Sequence, residues 1–497
     1  MTIEFTRLAN SVLWPGFFGT QAPAWLLKEL SDGLAGVVYF GQNMGPDVAE
    51  LSASLRSANP QVLIGIDEEG GSVTRLEAKT GSTVPGAAQL GVVNDTAATY
   101  ATAAELAHRL RTVGANVLLG PVADVNTDPR NPVIGVRAFG NDCTVVSNHV
   151  VAAVEGIQRA GVAACAKHFP GHGDTHLDSH HAMPSVDLDT AEIERVHLAP
   201  FRAAIAAGVD SIMTAHIVVP AWGEQPATLN PTVLDMLRSA GFDGVIITDA
   251  LDMAAIRESV GIGGGSVLAL AAGADLLCVG NPTNPGEAAL VDQDERDFYT
   301  ARDAIVAALA DGSLPRERVE EAAARVARLA AKLTAAAPGA NATDFDAAGI
   351  VARSLIVHGD LPAPASALAV IDARTSSTLA VDSAASYVGE VLAEEGFRVR
   401  IDTALASSSE RAEALAAAVR VAAQRDLRVV ALVDRLDFAE TQRDLIAELV
   451  ATGVSAVAVN VGIAARSFDS PLPLIDAHAA SRLSASVVRE RLVGRRR

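Results

Sequence analysis

The chain is predicted to be an α/β protein, a (β/α)8 TIM-like barrel followed by a smaller three-layer α/β/α sandwich domain. Two observations lead there. Short apolar, β-leaning runs alternate with helical patterns from the start, and eight of them fall within about 280 residues, the count and length of a barrel. Beyond the punctuated stretch Asn281-Pro282-Thr283-Asn284-Pro285 the pattern turns helical, and a second, shorter run of alternating strands and helices follows. The barrel is placed at 1–334, a linker at 335–355 and the second domain at 356–497. A doubly wound open sheet is the alternative for the first part. No Gly-x-Gly-x-x-Gly follows its first strand, which weakens a dinucleotide-binding version.

In order, strands are expected near 12–18, 36–40, 62–68, 117–124, 162–167, 211–216, 244–249 and 274–279. Helix-like segments lie between them, near 24–30, 47–57, 96–113, 144–160, 190–207, 230–240 and 253–261, and the longest helix is expected near 316–334. Residues 335–344, rich in Ala, Gly, Pro and Asn, read as part of the linker. In the second domain, strands near 367–371, 398–401, 429–433 and 456–461 alternate with helices near 387–395, 409–424 and 439–451. That domain has no polar cluster comparable to those of the first, and its alanine-rich helices read as scaffold.

Composition narrows the function. At 497 residues two domains are expected, and 49% hydrophobic content suffices for large cores. No apolar run approaches the roughly 20 residues of a membrane span. The first residues, Met1 to Arg7, lack a basic region followed by an apolar one, so no secretory signal and a cytoplasmic location are expected. Cys143, Cys165 and Cys278 are far apart, and two lie in strand-like runs, so they are expected to be reduced and buried. A formal charge of −20 argues against binding nucleic acid or an anionic membrane through a general field; only Arg495-Arg496-Arg497 is locally basic, as a frayed tail can be. Aromatic residues make up 4%, too few for an extended stacking platform. A small-molecule pocket is expected.

Polar residues end most of the barrel strands. The third gives Asp67-Glu68-Glu69-Gly70-Gly71, with Arg75 beyond. The fourth leads to Asp124 and then 131–137, ending in Arg137. The fifth ends in Lys167-His168, the sixth in His216 and the seventh in Thr248-Asp249. Strand C-termini of a parallel barrel converge on one mouth, so these side chains can share a pocket. Each also has a structural reading: Asp67 or Glu69 as turn caps, Arg137 paired with a carboxylate as scaffold, His216 as a satisfied core histidine. Repetition at strand after strand favours function.

The densest stretch runs from Lys167 to His180, with four histidines and two aspartates in fourteen residues, broken by Pro170-Gly171 and Gly173. The breakers make it a loop rather than a helical face. It admits a metal site, since His168, His172, His176, Asp178 and His180 are all competent ligands. Spacings of four would need a helix to share a face, and no His-Glu-x-x-His is present. It also admits proton transfer, because Asp178-Ser179-His180 sets a carboxylate two residues from an imidazole that it can orient. A hydrogen-bonded turn is the structural alternative.

The string Lys167-His168-Phe169-Pro170-Gly171-His172-Gly173-Asp174-Thr175, then two residues, then Asp178-Ser179-His180, resembles the signature of family 3 glycoside hydrolases, specifically the β-N-acetylhexosaminidase branch. Asp67–Gly71 with Arg75, 131–137 and the stretch Ile247 to Met253 agree with it in order, so the resemblance covers about residues 10–285. It implies a retaining β-N-acetylglucosaminidase that removes non-reducing terminal N-acetylglucosamine from cell-wall muropeptides or related glycosides. Asp249 would be the nucleophile and His180, oriented by Asp178, the general acid/base. Asp67, Arg75, Arg137, Lys167 and His168 would hold the hydroxyls and acetamido group, with Asp124 in the same pocket as a support for Lys167. Family members often carry two adjacent aspartates where this chain has Asp249-Ala250, with a further acid at Asp252. The strand-end position favours Asp249, and Asp252 is expected to open the next helix; His176 and His181 receive no role. No metal and no cofactor is implied, and the partner is a small carbohydrate. The alternatives are a β-N-acetylglucosaminide phosphorylase or a β-glucosidase of the same superfamily and, from other classes, a metal-dependent amidohydrolase or a non-catalytic sugar-binding protein.

Overall fold

The structure, a computed structural model, describes residues 2–175, 184–284, 286–335, 345–374, 385–401 and 407–494. The chain divides into two compact units, each discontinuous in sequence. The first comprises Met1–Glu68, Thr99–Ile134 and Asn141–Phe345, the second Glu69–Ala98, Gly135–Gly140 and Asp346–Arg497. Residues 69–98 and 135–140, read from the sequence as barrel loops, thus group with the C-terminal residues.

The first unit is a curled parallel sheet of TIM-like α/β type. Its eight strands are β1 (Leu13–Pro15), β2 (Gly36–Tyr39), β3 (Leu63–Ile66), β4 (Val117–Leu118), β5 (Ala163–Phe169), β6 (Ser211–Thr214), β7 (Val245–Ile247) and β8 (Leu277–Gly280). Strands β2 to β7 pair in chain order in one six-stranded sheet, β8 pairs with β1, and a parallel bridge from Ile247 to Leu276 joins the two. Every strand residue is buried, which is why these segments read as unbroken apolar runs rather than alternating ones. One interior cluster draws on all eight strands: Trp14, Val38, Leu63, Val117, Cys165, Met213, Ile247 and Cys278. Trp14 brings its polar atom inside without penalty, because Nε1–H donates to the Leu63 carbonyl at 2.9 Å.

The N-terminal end of this sheet is stoppered by the helix Arg316–Ala335, which adds Val326, Leu329 and Ala330 to the same cluster. A charged row flanks this apolar face. Arg318 meets Asp275 at 2.7 Å, Arg328 meets Asp243 at 3.3 Å and Lys332 meets Asp210 at 2.6 Å, each aspartate lying just before β8, β7 or β6. Anchoring that end leaves the strand C-termini for chemistry.

Three differences from the expected elements have physical causes. β4 stops after two residues, because Pro121 offers no N–H to the ladder; pairing resumes where Val122 bridges Lys167. The helix expected over 190–207 is broken into Thr190–Glu192, a π turn over Ile193–His197 and Ala199–Ala206. Pro200 cannot bond back to Val196, and the Leu198 N–H reaches Ile193 O at 2.9 Å instead. The helix Gly261–Ala272 was not expected, since four glycines in five residues hide its periodicity; burial of Ile262, Ala269 and Leu270 overrides their propensity. No described helix is long and apolar enough to cross a membrane.

The second unit is built on six strands, β9 (Ile356–His358), β10 (Leu368–Asp372), β11 (Phe397–Arg400), β12 (Arg428–Val433), β13 (Ala456–Asn460) and β14 (Leu474–Asp476). The order is β11-β10-β12-β13-β14-β9, parallel except for the antiparallel edge β9. Strands β9 and β14 and the helix Arg482–Val493 are additional to the sequence reading. Within the stretch read as a linker, Ala347–Ser354 is helical, and 336–344 lies outside the described residues. Alternate strand residues feed two apolar clusters, Ile371, Ala431 and Ala458 in one, Val370, Val430 and Val459 in the other. Strand order reverses between β10 and β12, the place where open α/β sheets hold ligands. Buried Gln442 sits there, donating to Ala373 O at 2.9 Å and Asp434 Oδ1 at 2.7 Å.

Candidate active site

Strand β5 carries two of the expected site residues at its end. The Lys167 backbone is clasped by the irregular continuation of β4: its N–H donates to Pro121 O at 3.1 Å and its carbonyl accepts from Ala123 N at 2.6 Å. This fixes the direction of the side chain, and Nζ meets Asp67 Oδ1, at the end of β3, at 2.6 Å. Lys167 is 1% exposed and Asp67 20%. The Lys167 ammonium thus meets the Asp67 carboxylate from the buried side.

Asp124 organises the loop that follows. Its Oδ2 accepts from His168 Nδ1 at 2.7 Å, and its Oδ1 accepts from the backbone N–H of His172 at 2.7 Å and of His168 at 3.3 Å. The expectation that Asp124 supports Lys167 is corrected: its carboxylate is engaged on the 168–172 turn, and the ion pair of Lys167 is with Asp67. Burial raises the Asp124 pKa, but the neighbouring imidazoles and the hydrogen bonds outweigh it and hold the group below the usual carboxylate range. An ionised Asp124 can only accept, so His168 carries its proton on Nδ1. Beyond it, Asn131 donates to His172 O at 2.8 Å, and Gly173 passes so close to the segment that continues β4 that a Cβ there would lie 1.9 Å from Val125 O. The glycine of the motif is demanded by that approach.

Asp249 lies two residues beyond the end of β7, half-buried, with Oδ1 accepting from the Ala250 N–H at 2.8 Å. His216 is a satisfied core histidine, as its structural reading held, yet its Nε2–H donates to Ala250 O at 2.8 Å and Nδ1 lies 2.9 Å from Thr228 Oγ1. It thereby fixes the Ala250–Leu251 peptide, one residue beyond Asp249. Asp252 does not cap the helix Ala254–Arg257: its side chain is buried against Gly280, accepting from Asn284 Nδ2 at 2.9 Å, and burial raises its pKa well above normal. Asp249 is the more exposed of the two acids.

These groups share one electrostatic neighbourhood. Burial pushes the Cys165 thiol up to about 12, and the charges of Lys167, Asp67 and Asp249 all act on it. His172 senses Asp124, His168 and Asp249 together. All three cysteines are free, with Cys165 and Cys278 buried. The structure so brings together Asp67, Asp124, Lys167, His168 and Asp249 in the first unit. Arg75 and Arg137 belong to the second. There Arg137 forms a bidentate pair with Glu69, Nε to Oε2 at 2.9 Å and Nη2 to Oε1 at 2.8 Å, both side chains 7% exposed. Arg75 is half-buried after the hairpin at Gly70–Val73. Asp178 and His180 lie outside the described residues, as do His176 and His181. Among the described residues, no three His, Cys, Asp or Glu side chains group as metal ligands. The organising roles of His172 and Asn131 were not assigned from the sequence, which marked them only by their place in the polar segments that follow β4 and β5.

The model of the glycosyl hydrolase family 3 N-terminal domain matches residues 20–329, more than half of the chain and the whole run of strands β2 to β8. The chain belongs to glycosyl hydrolase family 3. It is a glycoside hydrolase, with β-hexosaminidases among its relatives. β-Hexosaminidase A of Pseudoalteromonas piscicida is 34% identical over 326 residues, 60% of this chain and 54% of that protein, so the chain spans about half of that relative. A β-hexosaminidase of Stenotrophomonas maltophilia (strain R551-3) is 36% identical over 298 residues, 55% of this chain and 84% of the relative. Among solved structures, a family 3 β-N-acetylglucosaminidase from Paenibacillus sp. str. FPU-7 is 31% identical, with a TM-score of 0.83 over 98% of this chain and 96% of that one.

The buried loop of this family 3 hydrolase makes its stability sensitive to acid. Burial lowers the His172 pKa from 6.5 to about 4, more than Asp124 opposes it. The unfolded chain binds that proton first as pH falls, so stability is complete above about 6.5 and is lost toward 4, by an amount on the order of 3 kcal/mol. Asp124 adds in the same direction at still lower pH, where its depressed native pKa is crossed. Denaturation midpoints of the wild type should fall between pH 7 and 4, and those of His172→Gln should fall less. Parallel curves for the two proteins would remove His172 as the cause.

Proposed function

We propose that the chain is a retaining β-N-acetylglucosaminidase that releases non-reducing terminal N-acetylglucosamine from cell-wall muropeptides or related glycosides. The observation that carries this reading is Asp249, a half-buried carboxylate just beyond β7 that accepts from the Ala250 N–H, while His216 holds the Ala250 carbonyl, and whose charge acts on Cys165 together with those of Lys167 and Asp67. The names of the relatives, β-hexosaminidase and β-N-acetylglucosaminidase, support the substrate class.

In this mechanism Asp249 attacks the anomeric carbon while His180, oriented by Asp178, gives its proton to the departing oxygen. The glycosyl-aspartate is then opened by water, whose proton returns to His180, so configuration is retained. Asp67 accepts sugar hydroxyl hydrogens, and Lys167, His168, Arg75 and Arg137 hold the remaining polar groups of the terminal sugar. An imidazole repels an anionic acceptor less than a second carboxylate would, so phosphate competes with water as the chemical alternative. For the second unit we retain an α/β/α sandwich, supported by the two clusters fed by alternate strand residues.

The test is cleavage of 4-nitrophenyl N-acetyl-β-glucosaminide beside the corresponding glucoside, with and without chelator and with phosphate. Chelator-resistant release from the acetamido sugar alone, giving the free sugar, is expected. A sugar 1-phosphate product would replace hydrolase by phosphorylase, preference for the glucoside would replace the substrate class, and loss to chelator would point to metal-dependent chemistry.

A further inference from the structure

Within the second unit, the segments that carry Arg75 and Arg137 are not secured by their own local turns alone. The loop following β14 holds them. Ala480 N–H donates to Ser72 Oγ at 2.9 Å, at the hairpin that begins with Glu69, and Leu483 N–H donates to Ser82 O at 3.1 Å. Between hairpin and loop lies the short helix Ala87–Val93. Its Gln89 is fully buried, with Oε1 accepting from Gly86 N at 3.0 Å and Nε2 donating to Ala477 O at 2.9 Å and to Ser484 Oγ at 2.8 Å. Both hydrogens of its amide are thus spent on the region after β14. Two residues on, Gly91 packs so tightly on the turn of Arg137 that a Cβ would lie 1.6 Å from Phe139 O. The helix is a bracket, with Gln89 on the C-terminal loop and Gly91 against the segment two residues beyond Arg137.

We propose that Gln89 is a positioning residue for Arg137 and Arg75, through which the C-terminal residues set the substrate-binding arginines. The inference rests on the proposed reading of those arginines. A bidentate pair such as Glu69–Arg137 orients the guanidinium in its own plane, but where that plane stands depends on the two segments that carry it, and these are referenced to the loop after β14. An uncoupled bracket shifts the arginines without removing any group that reacts.

The experiment compares steady-state kinetics on 4-nitrophenyl N-acetyl-β-glucosaminide for the full chain carrying Gln89→Leu, Arg137→Ala or both. Gln89→Leu should raise KM about tenfold with kcat changed less than about threefold, as a small misplacement of binding groups does. In the Arg137→Ala background the same change should add much less to KM, at most about threefold, because only Arg75 is left to be positioned. Ser484→Ala removes one of the three bonds and keeps the helix, so it should raise KM about threefold and show the same coupling, and it decides the matter if Gln89→Leu does not fold. An Arg137→Ala protein with raised KM beside Gln89→Leu and Ser484→Ala proteins with unchanged KM would overturn the positioning role. So would KM effects that simply multiply in the double variant. An unchanged KM in Arg137→Ala would instead refute the substrate-binding reading of that arginine, and the inference with it.

Discussion

Replacing Asp249 with alanine should lower kcat on the 4-nitrophenyl N-acetylglucosaminide by about 10⁴-fold, with KM changed far less. The carboxylate is the only part removed. The following peptide, Ala250–Leu251, remains fixed, since His216 bonds the Ala250 carbonyl and Thr228. The fold should therefore persist, with a thermal midpoint near that of wild type. Azide tests the role directly: filling the space of the lost carboxylate, it should restore turnover and give the α-glycosyl azide, because one displacement now replaces two. Activity within tenfold of wild type would move the nucleophile elsewhere. Asp252 is the first candidate to examine, although its burial and raised pKa disfavour it.

Asp124→Ala should be the most damaging substitution for stability and should also reduce kcat/KM by about 100-fold or more. Three donors converge on this one carboxylate, the His168 ring and the backbone N–H groups of His168 and His172. Removing it strands all three in a buried turn, at a cost of about 3–5 kcal/mol. Asp124→Asn separates the two effects. Its carbonyl oxygen still accepts from the backbone, while its NH2 faces the His168 Nδ1–H and turns the ring away. That variant should recover much of the thermal midpoint but little of the activity. Full activity in Asp124→Asn would mean that His168 needs no fixed orientation.

Much of the first unit was legible before any coordinates. Its eight strands are continuous apolar runs because both faces are covered, and most runs end in polar residues that the structure places at or just beyond the strand C-termini, as with Asp67, Lys167 and Asp249. The short edge strand β9 and the helix Gly261–Ala272 were not legible. The first is only three residues long and exposed, and the second is rich in glycine and forms because its apolar residues are buried. The structural reading of Arg137 as a carboxylate partner anticipated Glu69, whereas the support assigned to Lys167 fell on the wrong aspartate.

The sequence by itself determined which chemical groups stand at the strand ends and in what order, because periodicity, breakers and motif spacing are local properties of the chain. Tertiary structure alone decided who pairs with whom. Lys167 meets Asp67 across 100 residues, Arg137 meets Glu69 across 68, and Gln89 meets Ser484 across 395. Local patterns carry no information about such pairs, since several carboxylates compete for each cation until the packing of strands and loops leaves one within hydrogen-bonding distance.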